Sequence, residues 1–265
     1  MITGATGGLG KAFALECASR GWDLYLTDLS REKLEKLATG LTRYRGVKVY
    51  YEPFDLMDPE ALALFWEHLE NQGVVCDMLI NVAGLDFEGA FLERTKDEIN
   101  TILRLNIEAT VEMTRRMLEN RRNQDPIYII NVSSLAGFYP MPLKAIYAAS
   151  KRFLLDFSRA MRQELRGEGV RVLALCPAGL ATKPETIHSI ESQGWMGRLT
   201  TMQLGMVTAR TINRVLAGRS VYIPGWVNRL MRSISALLPV DLVAWMIRRR
   251  WAKTRQLAAE YGSQK

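Results

Sequence analysis

The sequence predicts an α/β chain: one domain, built as a doubly wound parallel sheet of about seven strands with helices on both faces and a helical C-terminal tail. Three observations carry this. Short β-branched or apolar runs alternate with longer amphipathic stretches, the pattern of repeated βαβ units. A glycine-rich turn, Gly4-Ala5-Thr6-Gly7-Gly8-Leu9-Gly10, follows the first apolar run and opens a helical one. The 265 residues, 48% of them hydrophobic, suffice for one large core.

In chain order, the strands are expected at Met1–Thr3, Asp23–Asp28, Val47–Glu52, Met78–Asn81, Ile127–Val132, Val170–Cys176 and Val221–Ile223. Between them, helices are expected over Leu9–Arg20, Ser30–Thr42, Asp58–Gln72, Lys96–Asn120, Ala145–Arg166 and Thr208–Ala217. Asp58-Pro59 is the clearest start, an N-cap side chain followed by proline at the first helical position. The first strand is short for a central one, so either it is truly brief or the sequence begins inside a longer gene product. No repeat or linker divides the chain. Residues 1–225 read as the catalytic body and 226–265 as a basic amphipathic tail of the same domain or a peripheral extension.

The net charge of +7 is local. From Thr208 onward 11 Lys and Arg face only Asp241 and Glu260, a balance of +9 that leaves −2 for the rest. A near-neutral body argues against a nucleic-acid partner and confines the basic surface to the tail. Cys17, Cys76 and Cys176 are odd in number and far apart, which fits reduced structural thiols rather than a disulfide framework. With only His68 and His188 beside them, no metal site is expected. No run reaches the ~18 to 20 apolar residues of a bilayer-spanning helix. The N-terminus leaves no room for a signal segment, so the cytoplasm is the expected compartment.

The glycine-rich turn sits where a dinucleotide pyrophosphate meets backbone N–H groups and the positive end of a helix dipole. Asp28 closes the second strand roughly 20 residues on, placed to accept hydrogen bonds from an adenosine ribose diol. Its charge opposes a 2′-phosphate and favours NAD, while Arg31 and Lys33 nearby keep NADP open. The competing reading of Asp28 is a carboxylate that caps the following helix. The architecture expected from this turn and its carboxylate is Rossmann-type.

Tyr147-Ala148-Ala149-Ser150-Lys151 sets a phenol and an ammonium four residues apart on one helical face. A neighbouring cation favours the phenolate and brings the phenol closer to neutral-pH proton exchange. Ser134 ends the Ile127 strand, at the sheet edge where ligands of open α/β folds bind.

Taken together, the Thr3-Gly4-x-x-x-Gly8-x-Gly10 turn, Asn81-Val82-Ala83-Gly84, Asn106, Ser133-Ser134 and Tyr147-x-x-x-Lys151 resemble the short-chain dehydrogenase/reductase family over roughly Met1 to Thr182. The resemblance implies an enzyme that transfers hydride between NAD, or NADP, and a secondary alcohol or ketone. It assigns Tyr147 as acid/base, Ser134 as partner of the reacting oxygen, Lys151 to the nicotinamide ribose and the tyrosine, and Asn106 to a water in a proton relay. For the cofactor it implies Gly4, Thr6, Gly8, Leu9, Gly10, Asp28, Asp55, Leu56, Asn81, Ala83 and Gly84, then Tyr147, Lys151, Pro177, Gly179, Leu180 and Thr182. It also implies a homodimer or homotetramer, paired through the Lys96–Asn120 and Ala145–Arg166 helices. Two features depart from the family: Pro177-Ala178-Gly179 stands where Pro-Gly is usual, and Asn81-Val82 replaces a double Asn.

The loops near the expected site are apolar: Phe138, Tyr139, Pro140 and Met141 before Tyr147, then Ile187, Trp195, Met196 and Leu199 in a segment placed to form a lid. They suggest a lipophilic, steroid-like or acyl ketone. From Trp226 the tail reads as two amphipathic helices broken at Pro239, either packed on the body or a subunit, or resting on a membrane surface. Ile223-Pro224-Gly225-Trp226 resembles the entry to such a tail in family members acting on steroids or long acyl chains. The competing functional reading is a non-catalytic dinucleotide sensor that engages a membrane or partner through this tail.

Overall fold

The computed structural model describes residues 1–44, 46–122, 125–178 and 203–249. Seven strands, β1 Ile2–Thr3, β2 Leu24–Asp28, β3 Val49–Pro53, β4 Met78–Asn81, β5 Ile127–Val132, β6 Val170–Leu175 and β7 Val221–Tyr222, form one sheet in the order β3-β2-β1-β4-β5-β6-β7. Every pairing is parallel. The order reverses direction between β1 and β4, which opens the crevice where such sheets bind ligands.

Alternation along the strands divides the core in two, because successive side chains point to opposite faces. Leu26, Ile80, Ile130 and Leu173 join one cluster with Phe13 and Ala14 of α1 (Gly8–Ser19), Leu34 and Leu41 of α2 (Arg31–Leu41), and Val207, Ile212 and Val215 of α7 (Leu204–Leu216). Tyr25, Leu79, Ile129 and Val172 join the other with Phe65 and Trp66 of α3 (Pro59–Asn71) and Met113 and Met117 of α5 (Ala109–Glu119). The helices start where local chemistry satisfies their first N–H groups. Ser30 caps α2, Asp58 with Pro59 caps α3, and Thr95 with Glu98 forms a reciprocal box at α4 (Lys96–Leu103).

The helix expected from Thr208 begins four residues earlier, at Leu204, and two further boundaries differ from expectation for a physical reason. The third strand runs from Val49 to Pro53 because Lys48 N–H is held by Asp23 Oδ1 at 2.8 Å and Phe54 N–H reaches Asp28 O, sliding the pairing toward the C-terminus. The helix expected over Lys96–Asn120 is interrupted by a π-helical turn at Arg104–Glu108, with Ala109 N–H bonded back to Arg104 O. Such bulges insert an extra residue and re-aim one side chain, here Asn106. α6 (Ala145–Glu164) is continuous, and α8 (Trp226–Ser235) is followed by a helical run over 240–249. No helix among the described residues is long and apolar enough to cross a membrane.

Candidate active site

The turn after β1 is built for close approach. Gly4 adopts φ +63°, and a Cβ there would lie 2.8 Å from the Ala83 backbone. Thr3 Oγ1 accepts from the N–H groups of Val82 and Ala83 at 3.2 and 3.3 Å, tying this turn to the end of β4. A Cβ on Gly10 would strike the Gly4 carbonyl oxygen. The N-terminus of α1 has no side-chain cap at Gly7 and no acidic residue in its first turn, unlike α2, α3 and α4. Its positive end and backbone N–H groups therefore suit a pyrophosphate, and the residues present fit a dinucleotide.

Asp28 lies beside this cradle. Its Oδ2 accepts from Thr6 N–H at 2.9 Å and Thr6 Oγ1 at 2.7 Å, and its Oδ1 from Leu29 N–H at 2.8 Å. The α2 cap is Ser30, whose hydroxyl accepts from Lys33 N–H, so the capping reading of Asp28 gives way to an anchor for the glycine turn. Asp55 Oδ1 accepts from Met57 N–H at 2.8 Å, and Leu56 packs on the cluster around Phe65. Asn81 turns into the sheet: its amide donates to Asn131 Oδ1 at 2.9 Å and Thr114 Oγ1 at 3.3 Å. Asn131 continues the chain to Ser158 Oγ at 3.0 Å.

The second half of the site gathers at the ends of β4 and β5. Tyr147 is in the first turn of α6, and Lys151 is one turn later, almost fully buried. Lys151 Nζ donates to Val132 O at 3.0 Å and stands 5.8 Å from the Tyr147 ring centre. Ser133 Oγ donates to Lys151 O at 2.6 Å and fastens α6 to the end of β5. Ser134 Oγ accepts from Ala136 N–H at 3.1 Å and approaches Pro177 O at 3.5 Å. Asn106, re-aimed by the π turn and wholly buried, holds Leu85 N–H and O at 2.9 and 3.0 Å and donates to Ser150 Oγ at 3.1 Å. Gly84 completes the cluster: a Cβ there would sit 2.9 Å from Asn106 Oδ1 and 3.2 Å from Lys151 Nζ.

Burial pushes the Tyr147 phenol above its ordinary range, while a Ser134 hydrogen bond draws it down, Asp86 pushes it up and Lys144 draws it down. The Lys151 ammonium is brought down to about 8, chiefly by burial, with Asp86 and Cys176 pulling the other way. Burial also raises the Cys176 thiol to about 12 and the Cys17 thiol to about 11, so both stay protonated at neutral pH.

Sequence reasoning missed a second cation. Lys144 Nζ is 5.8 Å from the Tyr147 ring centre, the same as Lys151, and is paired with Asp86 at 2.5 Å and Glu88 at 3.3 Å. Burial draws the Lys144 ammonium down, and the two carboxylates more than offset it. The preceding Leu143 has φ +68°, the one left-handed non-glycine among the described residues, and its carbonyl accepts from Gly89 N–H at 2.9 Å. The 86–89 segment thus braces the entry to α6 from outside. Lys144 lies three residues before Tyr147, a helical spacing visible in sequence. Asp86 and Glu88 gave no local signal, being more than 50 residues away.

The structure therefore brings Ser134, Tyr147, Lys151, Asn106 and Gly84 together, with the Gly4–Gly10 turn and Asp28 farther along the same crevice edge of the sheet. Phe138 packs on the small cluster of Leu155, Ala174 and Cys176, with the Arg159 and Arg232 guanidiniums against its ring. Gly179, Leu180 and Thr182, and the lid candidates Ile187, Trp195, Met196 and Leu199, lie outside the described residues.

Residues 1–190 match the family model described as short chain dehydrogenase. Human 17-beta-hydroxysteroid dehydrogenase type 3 is 29% identical over 239 residues, covering 85% of this chain and 75% of its own. The very-long-chain 3-oxoacyl-CoA reductase of Anas platyrhynchos is 32% identical over 200 residues, 71% of this chain and 61% of its own. This chain thus spans about three fifths of that relative's length. Among solved structures, a short-chain dehydrogenase from Sphingobium yanoikuyae in complex with NADPH aligns with a TM-score of 0.74 at 26% identity, over 90% of this chain and 96% of its own. On the match to residues 1–190 and on this fold, the chain belongs to the short-chain dehydrogenase/reductase family of oxidoreductases.

Proposed function

We propose that the chain interconverts a secondary alcohol and a ketone, with Tyr147 as the acid/base. The observation that carries it is the Tyr147 phenol, drawn down by a Ser134 hydrogen bond and with two ammoniums each 5.8 Å from its ring centre, at the crevice end of a sheet whose first turn is shaped for a dinucleotide. A bound nicotinamide dinucleotide supplies or accepts the hydride. The chain does the rest. Tyr147 passes its proton to the carbonyl oxygen in reduction and takes it back in oxidation. The Ser134 hydroxyl orients that oxygen, and Lys151 holds positive charge beneath the phenol. Asn106 keeps the 85 loop and Ser150 in register with Lys151, and a water at the π turn would extend the proton path.

NAD is the proposed cofactor over NADP, because Asp28 presents a carboxylate, fixed by Thr6 and Leu29, where a ribose 2′-phosphate would meet like charge. The NADPH complex of the Sphingobium relative keeps the alternative within the test. A lipophilic substrate is supported by Tyr139 and Met141 in the segment between Ser134 and Tyr147 and by the steroid and long-acyl names of the relatives. A homodimer or homotetramer is supported by an apolar surface on α6, where the half-exposed Phe153 stacks on Phe157 at 5.8 Å. We place the chain in the cytoplasm, with three unpaired thiols as support.

The test is Tyr147→Phe assayed with NAD and NADP over a panel of steroid, long-acyl and small alcohols and ketones. Turnover should fall by at least about a thousandfold while dinucleotide binding, read by fluorescence, is kept. An unchanged rate rejects the assignment.

A further inference from the structure

The helix α8 is built inside out. Its buried side carries Asn228, which donates to Pro224 O at 2.8 Å, and Arg232, whose guanidinium lies 4.7 Å from the Phe138 ring centre. Ser235 Oγ on the same side meets Tyr139 Oη at 3.3 Å. Its outer side carries Trp226, Leu230 and Ile234, spaced at one helical turn and 68%, 51% and 53% exposed. A globular helix ordinarily turns its apolar stripe to the core, so this one is amphipathic for something outside the body.

The surface continues past the bend. Leu237 is 86% exposed, and the helical run over 240–249 buries Val243 while presenting Leu242, Trp245 and Met246 outward. These seven large apolar side chains, exposed from Trp226 to Met246, mark an interaction site rather than ordinary surface. Its charge says what kind. Arg229, Arg248 and Arg249 are exposed on these helices, Arg249 lies over the Trp245 ring at 4.6 Å, and Asp241 is the one acidic side chain from 226 to 249. Two such surfaces packed on one another would set like charges together. Anionic lipid headgroups over an acyl interior match both the arginines and the apolar stripe.

We propose that α8 and the 240–249 helix form a peripheral foot that rests on an anionic bilayer surface, with Trp226, Leu230, Ile234, Leu237 and Trp245 entering the interface. The inner side of the same foot touches Phe138 and Tyr139, in the segment between Ser134 and Tyr147. The foot therefore presents the substrate side of the site to the membrane, which suits a ketone or alcohol dissolved in lipid; this last point rests on the function proposed above.

The test is co-sedimentation of the full chain with phosphatidylcholine vesicles, with and without about one third phosphatidylserine. The chain should bind the anionic vesicles at least about tenfold more tightly, and salt should weaken that preference. Ile234→Glu with Trp245→Glu should cut binding at least about tenfold while leaving turnover of a water-soluble alcohol intact. Arg248→Gln with Arg249→Gln should cost about fivefold per charge on anionic vesicles only. Tyr147→Phe should bind as the parent does, so loss of the catalytic reading would leave this one standing. Failure to bind either vesicle overturns the proposal. So does light scattering that shows Ile234→Glu splitting a dimer without altering sedimentation, which would assign the face to a second copy.

Discussion

Lys144 and Asp86 offer a test of how the phenol is tuned, because opposite charges of one ion pair act on the same oxygen with opposite sign. A unit charge about 6 Å from a phenolate contributes about 3 kcal/mol at an effective dielectric of about 20, or about two pKa units. Removing a member removes its own contribution, which solvent reaching the crevice roughly halves, so either change should move Tyr147 by about one unit. Lys144→Met takes away a cation that stabilises the phenolate and should raise the apparent pKa. Asp86→Asn takes away an anion that opposes the phenolate and should lower it. In alcohol oxidation the phenolate is the active form, so kcat is lost as pH falls through this pKa. The pH profile of kcat should therefore show its rising limb displaced to higher pH in Lys144→Met and to lower pH in Asp86→Asn. At a pH below the limb the two variants should differ by about a hundredfold. If both limbs move the same way, or neither moves while both rates fall, the pair only braces the start of α6 and the electrostatic argument is wrong.

Lys151→Met should abolish turnover yet stabilise the fold. The buried ammonium has a folded pKa of about 8 against an ordinary 10.5, so its cost is fully present below about pH 8 and vanishes as pH rises toward 10.5. Urea midpoints at pH 7 should rise by the equivalent of about 1–3 kcal/mol, after the lost Val132 hydrogen bond is counted; a lower midpoint contradicts this. Asn106→Ala leaves the part-buried Leu85 N–H and carbonyl without their amide partner and should cost about 1–3 kcal/mol in the same measurement. Gly10→Ala drives a methyl into the Gly4 carbonyl, and calorimetric titration should show dinucleotide affinity reduced at least about tenfold.

Most of the fold was legible because its signals are local. Alternating β-branched runs such as Ile127–Val132, the Asp58-Pro59 start of α3 and the glycine turn each encode their element within a few residues, and the observed ends mostly fall within about two residues of expectation. The π turn at Asn106 was not legible, since its 25-residue surroundings read as one amphipathic helix and the reason for the bulge lies across the crevice. Asn106 must reach Leu85 and Ser150 at once, and a regular helix would aim it elsewhere.

The catalytic group shows the same division at the level of chemistry. Tyr147 and Lys151 share a helix, so their spacing exposed them, and the expectation followed that Lys151 tunes the phenol. The folded arrangement adds two acidic residues from the β4 loop that hold Lys144 near the ring, at the same distance as Lys151. Burial brings the Lys151 ammonium down to about 8, so it is the first of the two to lose its charge as pH rises, whereas Asp86 and Glu88 keep Lys144 charged. The steadier source of positive potential at Tyr147 as pH rises is thus the residue outside the motif. In ketone reduction the protonated phenol is the donor, so Lys144→Met, whose phenol ionises at higher pH, should lose less of its activity relative to the parent at pH 9 than at pH 7. A loss equal at both pH values would mean that bound dinucleotide restores Lys151 as the dominant cation.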